Sequence, residues 1–266
     1  MELSERLRMT ASMVEPGSRV ADVGCDHGYV AIHLVQSGVC PWVLAMDVNR
    51  GPLERAREHI REAGLSSRIE VRLSDGLHAM EWKEGRPEAD TLLCAGIGGR
   101  LACRIMEESR EKLALMRRVI LQPQSELWLV RKALRRAGYF ITDENMLKED
   151  GKFYTVMKAV NTGLFFRPGE ENREYSPEKK DLEYSKRLED CLGADWQEAA
   201  DRYGGRLILS CHPILREYLT GGLRKNRSIR EGILSRGVWE KNAARLDELE
   251  RETALMQKTL DAMKKK

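Results

Sequence analysis

Apolar positions along this chain fall into two alternating rhythms up to about residue 160. Short runs rich in aliphatic and β-branched residues predict strands at 19–23, 42–46, 69–73, 89–94 and 118–121. Between them, apolar residues recur every three or four positions. They predict helices at 29–36, 51–63, 99 to about 110, and 126–137. A further amphipathic helix is expected over residues 1–14, with Leu3, Leu7, Met9, Met13 and Val14 on one side and Pro16-Gly17 ending it. Two alternating runs, 139–147 and 152–160, flank Glu149-Asp150-Gly151 and read as an antiparallel hairpin. Strands alternating with helices and closed by such a hairpin predict an α/β fold. Its Rossmann-like, doubly wound, seven-stranded sheet would carry one antiparallel edge.

The pattern changes after Val160. Residues 161–176 are polar and contain Pro and Gly, which predicts a linker. Residues 177–192 form a charged helix, shorter helical pieces carry Trp196, Tyr203 and the run 214–219, and from about Arg224 the pattern is helical almost without interruption. Leu249, Thr253, Met256, Leu260 and Met263 are spaced four, three, four, three, the seam of a coiled coil. The expected partner of that seam is helix 177–192, giving an all-α coiled-coil hairpin, with an intermolecular coiled coil as the rival reading. The domain expectation is therefore residues 1–162 for the sheet and 163–266 for the helical part.

Composition narrows the classes. With 45 Lys+Arg against 42 Asp+Glu the net charge is only +3, so a nucleic-acid partner would have to be met by a local patch. Arg224, Lys225, Arg227, Arg230 and Arg236 make one, with Arg6, Arg8 and Arg100 as a second set. The six cysteines (Cys25, Cys40, Cys94, Cys103, Cys191 and Cys211) show neither a C-x-x-C pair nor zinc spacing, so they read as reduced core residues and no metal is expected. The charged start is unlike a signal peptide, and no run of about 18 apolar residues could cross a bilayer. A cytoplasmic monomer is expected.

Candidate chemistry gathers at the strand ends, where open α/β sheets bind ligands. After the first strand comes Asp22-Val-Gly24-Cys25-Asp26-His27-Gly28, a tight turn into a helix N-terminus. It departs from the G-x-G-x-x-G dinucleotide turn, because Asp26 stands where a glycine would be. A carboxylate there repels a diphosphate but suits an amino-acid ammonium, which favours S-adenosyl-L-methionine over a nicotinamide cofactor. Asp47, at the end of the next strand and followed by Val48, is 25 residues beyond Asp22 and suits a ribose diol. Asp75-Gly76 can meet an adenine edge. Ala95-Gly96-Ile97-Gly98-Gly99 leaves room for a planar group near the backbone. A glycine turn, a helix cap or a plain D-G turn would explain each alone; their order along one sheet is what favours cofactor binding.

With those motifs, Asp47-Val-Asn-Arg-Gly51-Pro52-Leu53, Ser74-Asp75-Gly76-Leu77, Leu121-Gln122-Pro123-Gln124 and Gly151-Lys-Phe-Tyr154, the chain resembles the TrmK family of bacterial tRNA (adenine(22)-N(1))-methyltransferases. Cys25 and Ile97 depart conservatively from that family's usual Ser and Met. The resemblance implies a class I methyltransferase sheet with a C-terminal coiled-coil hairpin, S-adenosyl-L-methionine as cofactor and tRNA as partner. It implies cofactor contacts at Asp22, Gly24, Cys25, Asp26, Gly28, Asp47, Val48, Asp75, Gly76, Ala95 and Gly96. Asp26, His27 and Gln122 are expected to orient the reacting adenine. Ile97, Gly98, Gly99, Arg100, Arg224, Lys225, Arg227 and Arg230 are expected to meet the substrate. A methyltransferase of another RNA or of a small molecule, and a non-catalytic binding module, remain the alternatives.

Overall fold

The computed structural model describes residues 3–164, 177–236 and 240–264. It divides into two compact units, Met1–Glu178 and Lys179–Lys266. In the first, helix α1 (Glu5–Ala11) precedes strand β1 (Arg19–Val23), helix α2 (Tyr29–Gln36), strand β2 (Trp42–Asp47), helix α3 (Arg50–Glu62) and strand β3 (Ile69–Leu73). A two-stranded ribbon follows, β4 (Trp82–Lys83) with β5 (Arg86–Pro87). Then come strand β6 (Thr91–Ala95), helix α4 (Gly99–Glu108), the single turn α5 (Arg110–Leu113), strand β7 (Arg118–Gln122), helix α6 (Leu127–Arg136) and the hairpin β8 (Tyr139–Glu149) and β9 (Lys152–Asn161).

The main sheet has seven strands in the order β3-β2-β1-β6-β7-β9-β8. β3, β2, β1, β6 and β7 are parallel, whereas β9 runs antiparallel to both β7 and β8. The inner strands are buried on both faces, which is why they read as unbroken apolar runs instead of alternating ones. Successive residues of one strand serve opposite layers. Val20 and Val43 pack with Leu34 and Ile60 from α2 and α3. Ala21 and Leu44 pack with Ile105 and Leu134 from α4 and α6. The expected strands are all present. The β4–β5 ribbon escaped prediction because two residues per strand carry no readable alternation.

The second unit holds α7 (Pro177–Leu192), α8 (Trp196–Ala199), α9 (Gly205–Leu209), α10 (Pro213–Ser235) and α11 (Ala243–Ala262). The almost continuous helical pattern from about Arg224 is the end of α10 followed by α11, and the expected linker at 161–176 falls mostly outside the described residues. The seam of α11 is met by α10, not by the expected helix 177–192. Arg216 Nη2 donates to Met263 O at 3.1 Å. A Cβ on Gly222 would stand 2.9 Å from Met256 Sδ, and Asn226 Nδ2 lies 3.4 Å from Thr253 Oγ1. The matching stripe on α10 is Leu215, Leu219, Gly222 and Asn226, also spaced four, three, four. Its glycine and its buried asparagine hid it from an apolar-pattern search. Helix α7 packs on α9, where a Cβ at Gly205 would collide with the Tyr184 hydroxyl.

One ion pair in the first unit is deeply buried: Arg131 Nε donates to Glu144 Oε1 at 2.8 Å, with side chains 4% and 1% exposed. Arg131→Met takes this guanidinium away from a buried carboxylate, and denaturant unfolding should show a loss of about 3–5 kcal/mol. Adding Glu144→Leu should recover most of it.

Candidate functional site

Strand β1 is the switch point of the sheet: β2 flanks it on one side and β6 on the other, so the chain after β1 and after β6 leaves in opposite directions. At the carboxyl ends of β1, β2, β3 and β6 lies a cavity of about 500 Å³. It is lined by Asp22, Gly24, Cys25, Asp26, Asp47, Val48, Asp75, Gly76, Ala95, Gly96 and Ile97, which the spacing of strand ends had singled out. Tyr29, Asn49, Ser74, Leu101, Arg104, Ile105, Gln124 and, from α1, Arg6 and Leu7 also line it. Val48 is 60% exposed and Leu101 38%, so two of the large apolar side chains left open to solvent face this cavity.

Asp22 is a carboxylate held in an unfavourable place for a charge. It is 2% exposed, and its Oδ2 is buried without a hydrogen-bond partner. Burial, and secondarily the Asp47 carboxylate, push its pKa up to about 7. A donor-bearing cation arriving from the cavity would satisfy that oxygen. The turn beside it has the room: Gly24 sits at φ +75°, and a Cβ there would lie 3.3 Å from the Ile97 side chain. Asp47 accepts from the Asn49 backbone N–H through Oδ1 at 2.8 Å, fixing its carboxylate at the end of β2. Asp75 is gripped by Arg104, whose Nη1 and Nη2 donate to its two oxygens at 3.1 and 3.0 Å. That grip comes from α4 and was invisible in the sequence, although Arg104 lies one helical turn and a residue beyond Gly99.

Other expected site residues are placed elsewhere. Gly28 caps α2 at φ +73° and packs on α3, where a Cβ would meet Ala56 Cβ at 3.2 Å; it does not line the cavity. Gln122 is fully buried and is not among the residues lining the cavity; its Oε1 accepts from Gly96 N–H at 3.1 Å, and its Nε2 is buried without a hydrogen-bond partner. Gly99 permits a close approach, since a Cβ there would lie 2.3 Å from Ser125 O. Gly98 precedes α4 as its cap, and Arg100 is bound to Glu126 at 2.8 Å on the surface. The His27 ring stacks on Tyr29, which stacks on His59, with centroids 5.4 and 5.1 Å apart; its Nε2 is 3.3 Å from Asp26 Oδ1. Arg224, Lys225, Arg227 and Arg230 are exposed along α10 in the second unit.

The cavity offers no thiol nucleophile. Burial and then the Asp22 charge drive the Cys25 and Cys94 thiols well above their ordinary value, so both stay protonated. Among the described residues there is no His/Cys/Asp/Glu cluster able to hold a metal and no helix long and apolar enough to cross a membrane.

Residues 3–157 match the model of a methyltransferase domain. The chain is 36% identical over 159 residues to the tRNA (adenine(22)-N(1))-methyltransferase of Bacillus subtilis, a match that spans 60% of this chain and 65% of that relative. The crystal structure of the B. subtilis m1A22 tRNA methyltransferase TrmK is similar with a TM-score of 0.77 at 29% identity, covering 97% of this chain and 99% of that one. A putative tRNA (m1A22) methyltransferase of Streptococcus pneumoniae, solved in complex with S-adenosyl-L-methionine, superposes with a TM-score of 0.74 at 27% identity over 97% of this chain and 100% of that one.

Asp22 yields a test that needs no ligand. Its folded pKa is raised, so the folded state binds more protons than the unfolded one between about pH 4 and 7. Stability must therefore fall as pH rises through that window. Asp22→Asn should stabilise the protein by about 2–4 kcal/mol at pH 8, and the gain should vanish near pH 4 in denaturant titrations.

Proposed function

The chain belongs to the methyltransferase-domain family, and from that premise we propose that it moves a methyl group from S-adenosyl-L-methionine to N1 of an adenine in tRNA, the base at position 22. The observation that carries the cofactor half is the unpaired, buried Asp22 oxygen beside a glycine turn. In this reading Asp22, with the Gly24–Asp26 turn, holds the amino-acid end. Asp47 accepts from the ribose hydroxyls. Asp75 and Gly76 meet the adenine against the apolar faces of Val48 and Ile105. When bound, the cofactor supplies a methyl already activated by its sulfonium charge.

The work left to the protein is alignment and electrostatics. Adenine N1 has a free lone pair, so no strong base has to act and positioning supplies most of the acceleration. Methylation at N1 leaves the base cationic. Asp26, at the rim with its side chain 72% exposed, favours that developing charge and can accept from the N6 amino group. N1 is hidden in a base pair, so the substrate adenine has to enter unpaired or flipped. The loops that would receive it are held together. Gly96 N–H donates to Gln122 O at 3.0 Å, Gln124 N–H to Ile97 O at 2.9 Å, and Gly99 N–H to Ser125 Oγ at 3.2 Å.

The RNA half of the reading is supported by the named activity of the B. subtilis relative, by likeness to such enzymes over 97% of the chain, and by the basic face of α10. Nucleoside analysis of tRNA incubated with enzyme and cofactor should reveal 1-methyladenosine, lost when adenine 22 is replaced. Methylation elsewhere, or none, overturns the assignment. Reversing Arg224, Lys225, Arg227 and Arg230 to Glu should weaken tRNA binding alike for all sequences. It should also flatten the log–log salt dependence by about 0.7–0.9 per lost phosphate contact. An unchanged slope removes α10 from the interface.

A further inference from the structure

N1 has to stay bare to be methylated, so whatever identifies the base as adenine must read a different edge. The remaining polar atoms of that edge are the N6 amino group, a donor, and N7, an acceptor, side by side. A carboxamide is the neutral side chain that presents an acceptor and a donor at matching separation. Gln122 is fully buried, does not line the cavity, and has its Oε1 bonded to Gly96 N–H at 3.1 Å. Two carboxamides line the cavity, Asn49 and Gln124. Asn49 follows β2, beside the ribose-suited Asp47 to which its N–H is bonded. Gln124 stands across the cavity at the end of β7.

Gln124 is unusually free at its tip and fixed at its base. Its backbone N–H is bonded to Ile97 O at 2.9 Å, Pro123 precedes it, and Ser125 Oγ accepts from Gly99 N–H at 3.2 Å. Its side-chain amide has no hydrogen-bond partner among the described residues and is exposed to the cavity. The space in front of it exists because Gly96 lacks a side chain: a Cβ there would lie 3.7 Å from Gln124 Nε2 and 3.5 Å from Arg6 Nη1. Arg6, poised 5.7 Å over the Tyr154 ring, walls the same space.

We propose that Gln124 is the adenine-specifying residue: its Oε1 accepts from N6–H and its Nε2 donates to N7, so the base is read from its Hoogsteen edge while N1 stays open. This rests on the reading of the site as an adenine-N1 methyltransferase. Guanine is refused by the same geometry, because its O6 and N7 are both acceptors and Oε1 would face O6.

The test pairs side-chain and single-atom changes. With tRNA carrying 7-deazaadenosine at the target, wild type should lose about tenfold in kcat/KM, one of the two hydrogen bonds being gone. Gln124→Leu should lose about ten- to a hundredfold on ordinary adenosine, yet show no further loss on 7-deazaadenosine. The isosteric Gln124→Glu, which keeps an acceptor for N6–H but sets a carboxylate oxygen against the N7 lone pair, should lose nothing on the 7-deaza change, which removes that repulsion. Cofactor affinity by calorimetry should stay within twofold in both variants, which establishes that they are folded. A full 7-deaza penalty in either variant, or a wild type indifferent to that substitution, overturns the assignment of Gln124. A wild type that methylates no tRNA adenine at N1 overturns the methyltransferase reading itself, and this inference with it.

Discussion

A carboxylate buried at the switch point of a parallel sheet sets the terms for everything around it. Asp22 lies one residue before the end of β1, between two strands whose chains depart to opposite faces, and one of its oxygens has no partner. Leaving an ionised group there is costly, and the fold meets the cost by raising the pKa of the group to about 7. The glycines at 24 and 96, both with positive φ, keep the backbone thin on either side, so a ligand can reach the carboxylate.

The other wall of the cavity is built by stitching two loops into an extension of the sheet. Hydrogen bonds from Gly96 to Gln122 and from Gln124 to Ile97 continue the β6–β7 pairing beyond the strand ends. Helix α1 closes the top for an electrostatic reason. Glu149, at the far edge of the sheet, accepts from the N–H of Glu5 at 2.7 Å at the start of α1, where the helix dipole favours a negative charge. The same carboxylate lies 3.8 Å from Arg6 Nε, and this anchor sets Arg6 and Leu7 over the cavity. One edge hairpin thus helps position a helix from the opposite end of the unit's sequence.

Two of the non-glycine residues with positive φ flank the cavity, the others lying in turns elsewhere. Asp26 and Glu126 hold positive φ of 33° and 47° without being glycine, one in the β1–α2 turn and the other capping α6. Non-glycine residues hold such conformations where surrounding contacts demand them. Glu126 is held by Arg100 and Ser125, and its strain places the Gln124–Ser125 segment against the glycine loop.

Much of this was written in local pattern. The strand runs, the glycine turn at 22–28, Asp47 and Asp75 at strand ends, and the glycine cluster at 95–99 are properties of residue type and spacing. Burial on both faces imposes the first, and positive φ or close approach imposes the glycines. Tertiary structure alone decided which neighbours those residues meet. Gly28 turned to α3 and Gln122 turned inward because packing, not spacing, sets the direction of a side chain. Arg6, Arg104 and Gln124 entered the site because α1, α4 and the β7 exit loop fold over the strand ends from distant positions in sequence. The α10 partner of α11 was hidden for the same reason: a glycine and an asparagine complete its stripe only when Met256 and Thr253 stand opposite them.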